Sequence, residues 1–183
     1  MKIEDIKSQQ NILQFMNDNI EYDMNIIKDT HLSIYNLKEK QEFIKEIAIL
    51  TQNEWGKQNL SKEEFDVKIN NKIAKIKNNL DNPKYCKLIL VDNSTLIGFI
   101  SIFEHDANER LDLSPWYATM YVKKEFRGNG YSKLLNNAIL KEAKNRGFKR
   151  IYLKTELYNY YEKFGAKYLE NLNDREKIYY FDL

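Results

Sequence analysis

The chain has 183 residues, of which 43% are hydrophobic, 29 are Lys or Arg and 27 are Asp or Glu. This composition can bury a core, so disordered and collagen-like folds are excluded, and the formal charge of +2 lacks the basic excess typical of nucleic-acid binders. The single cysteine, Cys86, excludes an intrachain disulfide and a Cys-based zinc site. Because only two histidines are present, no metal is expected.

The first 30 residues are expected to form an N-terminal helical extension. Ile12, Phe15, Met16 and Ile20 recur at helical spacing. The first residues have no apolar segment of the kind found in secretory signals, and the longest nearly apolar run, 96–103, is far shorter than the roughly 20 residues of a transmembrane helix. We therefore expect a cytoplasmic protein with no membrane partner.

Two helices are expected after a first strand. Alternating apolar residues at 32–37 predict the strand, and helical spacing predicts a helix over 38–55. Ser61 and Glu64 stand at the spacing of a capping box, which marks the start of the next helix. Its apolar face recurs every three or four residues until Asn82: Phe65, Ile69, Ile73, Ile76 and Leu80.

The remaining chain alternates strands and helices. Residues 85–91 and 95–103 predict an antiparallel hairpin, and 115–122 predicts a strand rich in aromatic and β-branched residues. The elements expected beyond residue 127 are a helix closed by Gly147, a strand at 151–155, a short helix at 157–164, a strand beginning at 166–169 and a last strand at 176–181. The sum is a single α+β domain at 31–183, with a mixed, mostly antiparallel sheet flanked by helices.

A glycine-containing loop at 127–132, Arg-Gly-Asn-Gly-Tyr-Ser, joins a predicted strand to a predicted helix. Glycines let the backbone approach a ligand there, and the amides of the first helical turn favour a phosphate or pyrophosphate. A dinucleotide fingerprint would need a third glycine near Lys133, and a Walker A loop would need Lys after Gly130. The alternative is that the glycines only make a tight connection.

The loop and a downstream block, Tyr160-Tyr161-Glu162-Lys163-Phe164-Gly165-Ala166, resemble the GNAT superfamily of N-acetyltransferases. The superfamily loop reads Gln/Arg-x-x-Gly-x-Gly/Ala, and its later block reads aromatic-Tyr-Glu-Lys-x-Gly-Phe. Ser132 and Ala166 depart from these patterns, but neither change removes a backbone donor. The resemblance therefore implies a GNAT-like domain.

The resemblance also implies that acetyl-CoA is the co-substrate. Its pyrophosphate is expected on the loop amides and its pantetheine arm beside the fourth strand, where a β-bulge would aim a backbone N–H at the thioester carbonyl. Arg127 is a candidate for a further phosphate contact, and Asn159 either contacts the pantetheine arm or caps a helix. The cofactor-binding residues implied are Met120, Tyr121, Val122, Arg127, Gly128, Asn129, Gly130, Tyr131, Ser132 and Asn159.

Two catalytic residues are expected, Tyr161 and Glu104. Tyr161 matches the superfamily block and is the candidate acid that protonates the CoA thiolate, although a tyrosine there can also simply pack. Its neighbour Tyr160 would face about 100° away on a helix. Glu104 opens an acidic stretch that ends at Asp112, which either relays the proton of a cationic amine through water or forms a solvated loop.

The function implied is N-acetyl transfer to a primary amine of a small cationic molecule or peptide by direct attack. The alternative is a non-catalytic CoA-binding sensor or scaffold module. A third reading, acetylation of aminoacyl-tRNA, would need a localised basic face that a charge of +2 does not indicate. A homodimer is expected by analogy with similar enzymes.

Overall fold

The computed structural model describes residues 31–183, and the N-terminal helical extension expected at 1–30 lies outside that range. Within it the chain forms seven strands and three α-helices, with short 3-10 turns between several of them. The strands are β1 (Leu32–Asn36), β2 (Cys86–Asp92), β3 (Thr95–Phe103), β4 (Trp116–Val122), β5 (Arg150–Thr155), β6 (Lys167–Asn171) and β7 (Lys177–Asp182). The helices are α1 (Ile44–Trp55), α2 (Lys62–Asn79) and α3 (Tyr131–Asn145).

The strands form one mixed sheet in the order β1-β2-β3-β4-β5-β7-β6. Only β4 and β5 pair in parallel among the described strands, and every other neighbouring pair is antiparallel. The parallel pair requires a crossover, which α3 provides, because parallel neighbours cannot be joined by a tight hairpin. The predicted mixed, mostly antiparallel sheet is confirmed.

Helices cover both faces of the sheet, so β2, β3 and β4 are buried on both sides. The face toward α3 has a core that includes Leu88, Ile100, Ile102, Leu135 and Ile139. The face toward α1 and α2 has a second core that includes Ile47, Ile69, Ile89, Phe99 and Tyr121. Side chains alternate between faces along a strand. Neighbouring residues on these three strands therefore reach opposite sides of the sheet.

The predicted capping box at the start of α2 is confirmed. The Ser61 amide donates to Glu64 Oε2 at 2.8 Å, and the Glu64 amide donates to Ser61 Oγ at 3.2 Å. The prediction for α1 was wrong at its start, because the helix begins at Ile44 and two 3-10 turns precede it. Lys40, with φ −135° and ψ 55°, is not helical and separates these turns, while Asn36 caps the first of them.

The short helix expected at 157–164 is not formed. The chain makes only a 3-10 turn at Glu162–Phe164, which Gly165 ends at φ 92°. Asn159 adopts the left-handed conformation, at φ 53°, and this conformation interrupts a right-handed helical path. Tyr160 and Tyr161 therefore belong to a loop, and the expected angle of about 100° between them does not apply.

Candidate active site

The parallel strands β4 and β5 pair at one position and then separate. Trp116 is the β4 residue in register with β5, opposite Tyr152, and the Tyr152 amide donates to Pro115 O at 2.9 Å. Beyond this point, no register pair joins the two strands within the described structure. The β5 side of residues 120–122 thus borders a gap in the sheet, in which an extended ligand can pair with backbone groups.

A β-bulge interrupts β4 where the gap opens. Tyr121 is in register with Phe99 and Ala118 with Ser101, so two residues of β4 lie opposite one residue of β3. One of the two, Thr119, has φ 50°, an uncommon value for a β-branched residue. A bulge turns backbone groups out of the ladder and re-aims side chains. The bulge implied by the sequence resemblance is therefore present, at Thr119 and Met120.

The glycine loop leads from the end of β4 into α3. Gly128 and Gly130 have φ 84° and 76°, values that glycine adopts without steric cost, and Gly130 is the N-cap of α3. No side chain of the described residues caps this helix, so the amides of its first turn, which includes Tyr131 and Ser132, remain available to an anion. The Asn129 side chain instead closes the loop, with Nδ2 donating to Phe126 O at 3.1 Å.

Arg127 connects the end of β4 to α1. Its Nε donates to Val122 O at 2.9 Å, and its guanidinium lies 5.6 Å from the centre of the Tyr121 ring. The same guanidinium is 4.0 Å from the Glu54 carboxylate, and Trp55 contacts Tyr121 edge-on at 6.0 Å between centroids. Half of Trp55 is exposed. These contacts place the C-terminal end of α1 beside the second half of β4.

Tyr161 packs beside the bulge on the α3 face of the sheet. Its ring contacts Tyr117 of β4 edge-on at 5.7 Å. The Tyr117 hydroxyl has two acceptors within reach for its one proton, Asn136 Oδ1 at 3.1 Å and Met120 Sδ at 3.3 Å. Burial raises the pKa of Tyr161 to about 12, with a smaller contribution from Tyr160. The phenol therefore stays protonated throughout the neutral range, as a proton donor requires.

The sequence of this chain matches that of a known protein family. A model of the Acetyltransferase (GNAT) family matches residues 42–166, which is more than half of the chain. The chain belongs to the GNAT acetyltransferase family. A curated relative, N-alpha-acetyltransferase 30 of Schizosaccharomyces pombe, is 34% identical over 82 residues, which cover 42% of this chain and 54% of the relative. The chain thus matches about half the length of that relative.

Solved GNAT-type structures share the fold. The PaiA N-acetyltransferase of Thermoplasma acidophilum, solved with coenzyme A, is 24% identical, covers 83% of this chain and 99% of its own, and has a TM-score of 0.58. An aminoglycoside 6'-acetyltransferase type Ii is 23% identical. The match covers 81% of this chain and 96% of the acetyltransferase, with a TM-score of 0.59. The YncA protein of Salmonella typhimurium, solved with acetyl-CoA, is 15% identical. The match covers 83% of this chain and 94% of YncA, with a TM-score of 0.61.

Most of the residues predicted from the GNAT resemblance lie close together, and only Glu104 lies at a distance from the rest. Met120, Tyr121 and Val122 border the gap, the loop at 127–132 follows them directly, and Tyr161 lies beside β4. Asn159 lies in the exposed loop before Tyr161 and does not cap a helix, since the following turn has Tyr161 as its N-cap. Among the described residues, no helix is long and apolar enough to cross a membrane, and no side-chain cluster suits a metal ion.

Glu104 and its acidic neighbours lie at the other end of β4. Phe103 is in register with Trp116, so Glu104 lies about four residues, roughly 13 Å of strand, from Thr119 at the bulge. Lys84 Nζ donates to Glu104 Oε1 at 2.6 Å, and this hydrogen bond lowers the pKa of Glu104. Asp112 is likewise held by Arg110, at 2.7 and 2.8 Å. Glu104 and Asp112 are thus paired with cations, which weakens these two carboxylates as proton acceptors.

Sequence reasoning missed a buried lysine close to the bulge. Lys87 of β2 is 4% exposed, and its Nζ donates to Ser101 Oγ and, at 3.3 Å, to Thr119 Oγ1. Burial lowers the pKa of Lys87 to about 7. The available signal was a single charge inside an apolar strand, Cys-Lys-Leu-Ile-Leu-Val at 86–91, since lysine is almost never fully buried without a partner.

Proposed function

We propose that this chain transfers the acetyl group of acetyl-CoA to a primary amine by direct attack. The observation that carries the proposal is the separation of β4 and β5 next to a bulge in β4. The gap offers unpaired strand backbone to an extended ligand, and the uncapped end of α3 lies one short loop away. Membership of the GNAT family, and the coenzymes named for two neighbours of the same fold, support this reading.

Acetyl-CoA fits the residues present as a substrate with an anionic end and an extended arm. The first-turn amides of α3 and the loop at 128–130 would hold the pyrophosphate, because uncapped helical amides favour phosphate oxygens. Backbone groups of Met120, Tyr121 and Val122 would hold the arm as an added strand. Arg127 is already held by Val122 O and faces Glu54, so we assign it mainly to bracing the loop.

Two groups would act on the reaction itself. The bulge at Thr119 and Met120 would supply a backbone N–H to the charge that develops on the acetyl oxygen, a contribution worth about 10²-fold or more in rate for a preorganised donor. Tyr161 would protonate the departing thiolate. Its raised pKa makes it a weak acid, but a thiolate forming in the same apolar surroundings also binds its proton more strongly.

The acceptor we propose is a small cationic amine or the amino group of a peptide. The family relative is an N-alpha-acetyltransferase by name, and one structural neighbour is an aminoglycoside acetyltransferase by name. In this chain, the half-exposed Trp55 and the carboxylate of Glu54 lie next to Tyr121 on the α1 side of β4. Exposed aromatic rings favour a cationic ligand over an acidic one, and the Glu54 carboxylate, 4.0 Å from the Arg127 guanidinium, adds little to that preference.

The proposal is tested by calorimetry with acetyl-CoA, followed by thiol release with a panel of acceptors. The panel contains spermidine, an aminoglycoside, free amino acids and peptides with a free α-amine, so its arms separate the two acceptor classes. We expect binding to acetyl-CoA and release with at least one amine. Binding without release from any amine would favour a CoA-binding sensor or scaffold, and absence of binding would refute the assignment altogether.

A further inference from the structure

A buried lysine and two hydroxyl groups form a connected cluster beside the bulge of β4. We call Lys87, Ser101 and Thr119 the lysine–hydroxyl cluster. Ser101 Oγ and Thr119 Oγ1 are 2.6 Å apart, and Lys87 Nζ is hydrogen-bonded to both. Lys87 and Ser101 are fully buried, whereas Thr119 is partly exposed. The cluster therefore connects the interior of the sheet to the bulge.

We propose that the lysine–hydroxyl cluster takes up the proton that the acceptor amine loses, with Thr119 relaying it to Lys87. This inference rests on the acetyl transfer proposed above. As the amine nitrogen bonds to the acetyl carbon, its proton passes to Thr119 Oγ1, and the Thr119 hydroxyl proton passes to Lys87 Nζ. The C–S bond breaks with its electron pair going to sulfur, and Tyr161 supplies the thiol proton. Solvent then reprotonates Tyr161 and deprotonates Lys87.

The surroundings of Lys87 suit an amine that changes its protonation state. Burial brings its pKa to about 7, so near neutral pH much of the population has a free lone pair. In that neutral form the contact with Thr119 reverses, and the hydroxyl donates to Nζ. The ammonium that forms has the Phe99 ring at 4.9 Å and the Phe103 ring at 5.8 Å, and both rings stabilise a cation.

Other ionisable groups on this side of the sheet do not replace Lys87 in this role. Ionisable groups of the elements packed on this side include Tyr35 of β1, Tyr121 of β4, Glu54 of α1 and Lys72 of α2, and Cys86 is the neighbour of Lys87 on β2. Glu54 faces Arg127, and burial raises the pKa of the Tyr121 phenol and the Cys86 thiol. Lys72 shares the inner face of α2 with Ile69 and Ile76 by helical spacing and is only half-buried.

Glu104, the second catalytic residue expected from sequence, is less suited to the same proton. It is paired with Lys84 and lies at the far end of β4, whereas Thr119 is part of the bulge itself. The lysine–hydroxyl cluster also lies on the α1 face of the sheet, opposite Tyr161. Proton uptake and proton release are thereby separated by the strand that holds the reacting groups.

The test compares Lys87→Met and Thr119→Val with the wild-type chain and with Lys72→Met, a half-buried lysine outside the cluster. The measured quantity is kcat/KM for thiol release between pH 5.5 and 9.5, with acetyl-CoA and either spermidine or a peptide with a free α-amine. We expect the wild-type rate to rise through an ionisation at about pH 7. Both cluster variants should lose this ionisation and roughly 10²-fold in kcat/KM, while the ionisation of the acceptor remains. Lys72→Met should keep the wild-type profile.

Calorimetry with CoA and thermal melting of each variant separate lost chemistry from lost binding or folding. If Lys87→Met binds CoA and keeps both its rate and the ionisation near pH 7, the inference is overturned. If Lys87→Met does not fold, Thr119→Val decides, since it removes only a hydroxyl from a partly exposed position. A wild-type chain that neither binds CoA nor releases thiol overturns the proposed function and this inference together, an outcome distinct from those of the variants.

Discussion

Replacing Gly130 with Val tests the proposed pyrophosphate site, and the chain contains a matched control. Gly130 begins α3 at φ 76°, Gly147 follows the other end of the same helix at φ 81°, and a Cβ at either position meets no atom within 4 Å. A side chain at either glycine thus imposes similar backbone strain, about 1–2 kcal/mol, without a clash inside the protein. Only the Gly130 side chain would project in front of the amides assigned to the phosphates.

The expected effect on affinity follows from the hydrogen bonds that Val would block. A hydrogen bond to a charged group contributes about 1.5–3 kcal/mol. Losing two would therefore weaken CoA binding by roughly 10²-fold or more, since about 1.4 kcal/mol corresponds to a factor of ten. Calorimetry with CoA should show this loss for Gly130→Val and near-normal affinity for Gly147→Val, with similar melting temperatures for both. Equal affinity in the two variants would refute the placement of the pyrophosphate.

Three further predictions concern Tyr161, Lys87 and the domain boundary. Tyr161→Phe should lower kcat by roughly 10²-fold with little change in CoA affinity, and Tyr160→Phe should be milder by at least a factor of ten; similar rates would remove Tyr161 as the acid. Because the pKa of Tyr161 is about 12, its ionisation should cause no loss of wild-type activity below pH 10. Lys87 has its folded pKa lowered from 10.5 to about 7, so the unfolded chain binds more protons between these values and stability rises with pH there. Lys87→Met should therefore raise the melting temperature at pH 7 and less so at pH 9.5, and a pH-independent difference would contradict the burial effect. A chain of residues 31–183 should keep CoA affinity in calorimetry, and a tenfold loss would assign 1–30 to the binding site.

The elements that sequence predicted well were those with strong local signals. The capping box of Ser61 and Glu64 fixes the start of α2 to the residue, and the apolar periodicity after it places the end within three residues of Asn79. The hairpin of β2 and β3 follows from its two apolar runs and the turn between them. The strand and helix on either side of the glycine loop were found for the same reason. Capping residues, apolar periodicity and turn residues were sufficient to predict an element wherever neighbouring residues in the chain determine its backbone conformation.

The parts that sequence did not predict depend on contacts between distant residues. Residues 157–164 have helical apolar spacing, but Asn159 in the left-handed conformation prevents a regular helix. Lys87, Ser101 and Thr119 come from three strands, and only the register of β2 with β3 and of β3 with β4 brings them together. The pairing of Glu104 with Lys84 spans 20 residues of chain and is likewise invisible to spacing.

The two faces of the sheet suggest why the reaction should take place at a break in the sheet. On the α3 face, Tyr161 approaches β4 through Tyr117, and the uncapped start of α3 lies on the same route. On the α1 face, Thr119 and Lys87 approach the same bulge. An intact sheet would keep a thioester on one face from an amine on the other, because the backbone ladder lies between them. In the proposed reaction, the gap between β4 and β5 would remove that barrier at one point. The amine would then attack the thioester directly, with one proton taken up on the α1 face and another supplied on the α3 face.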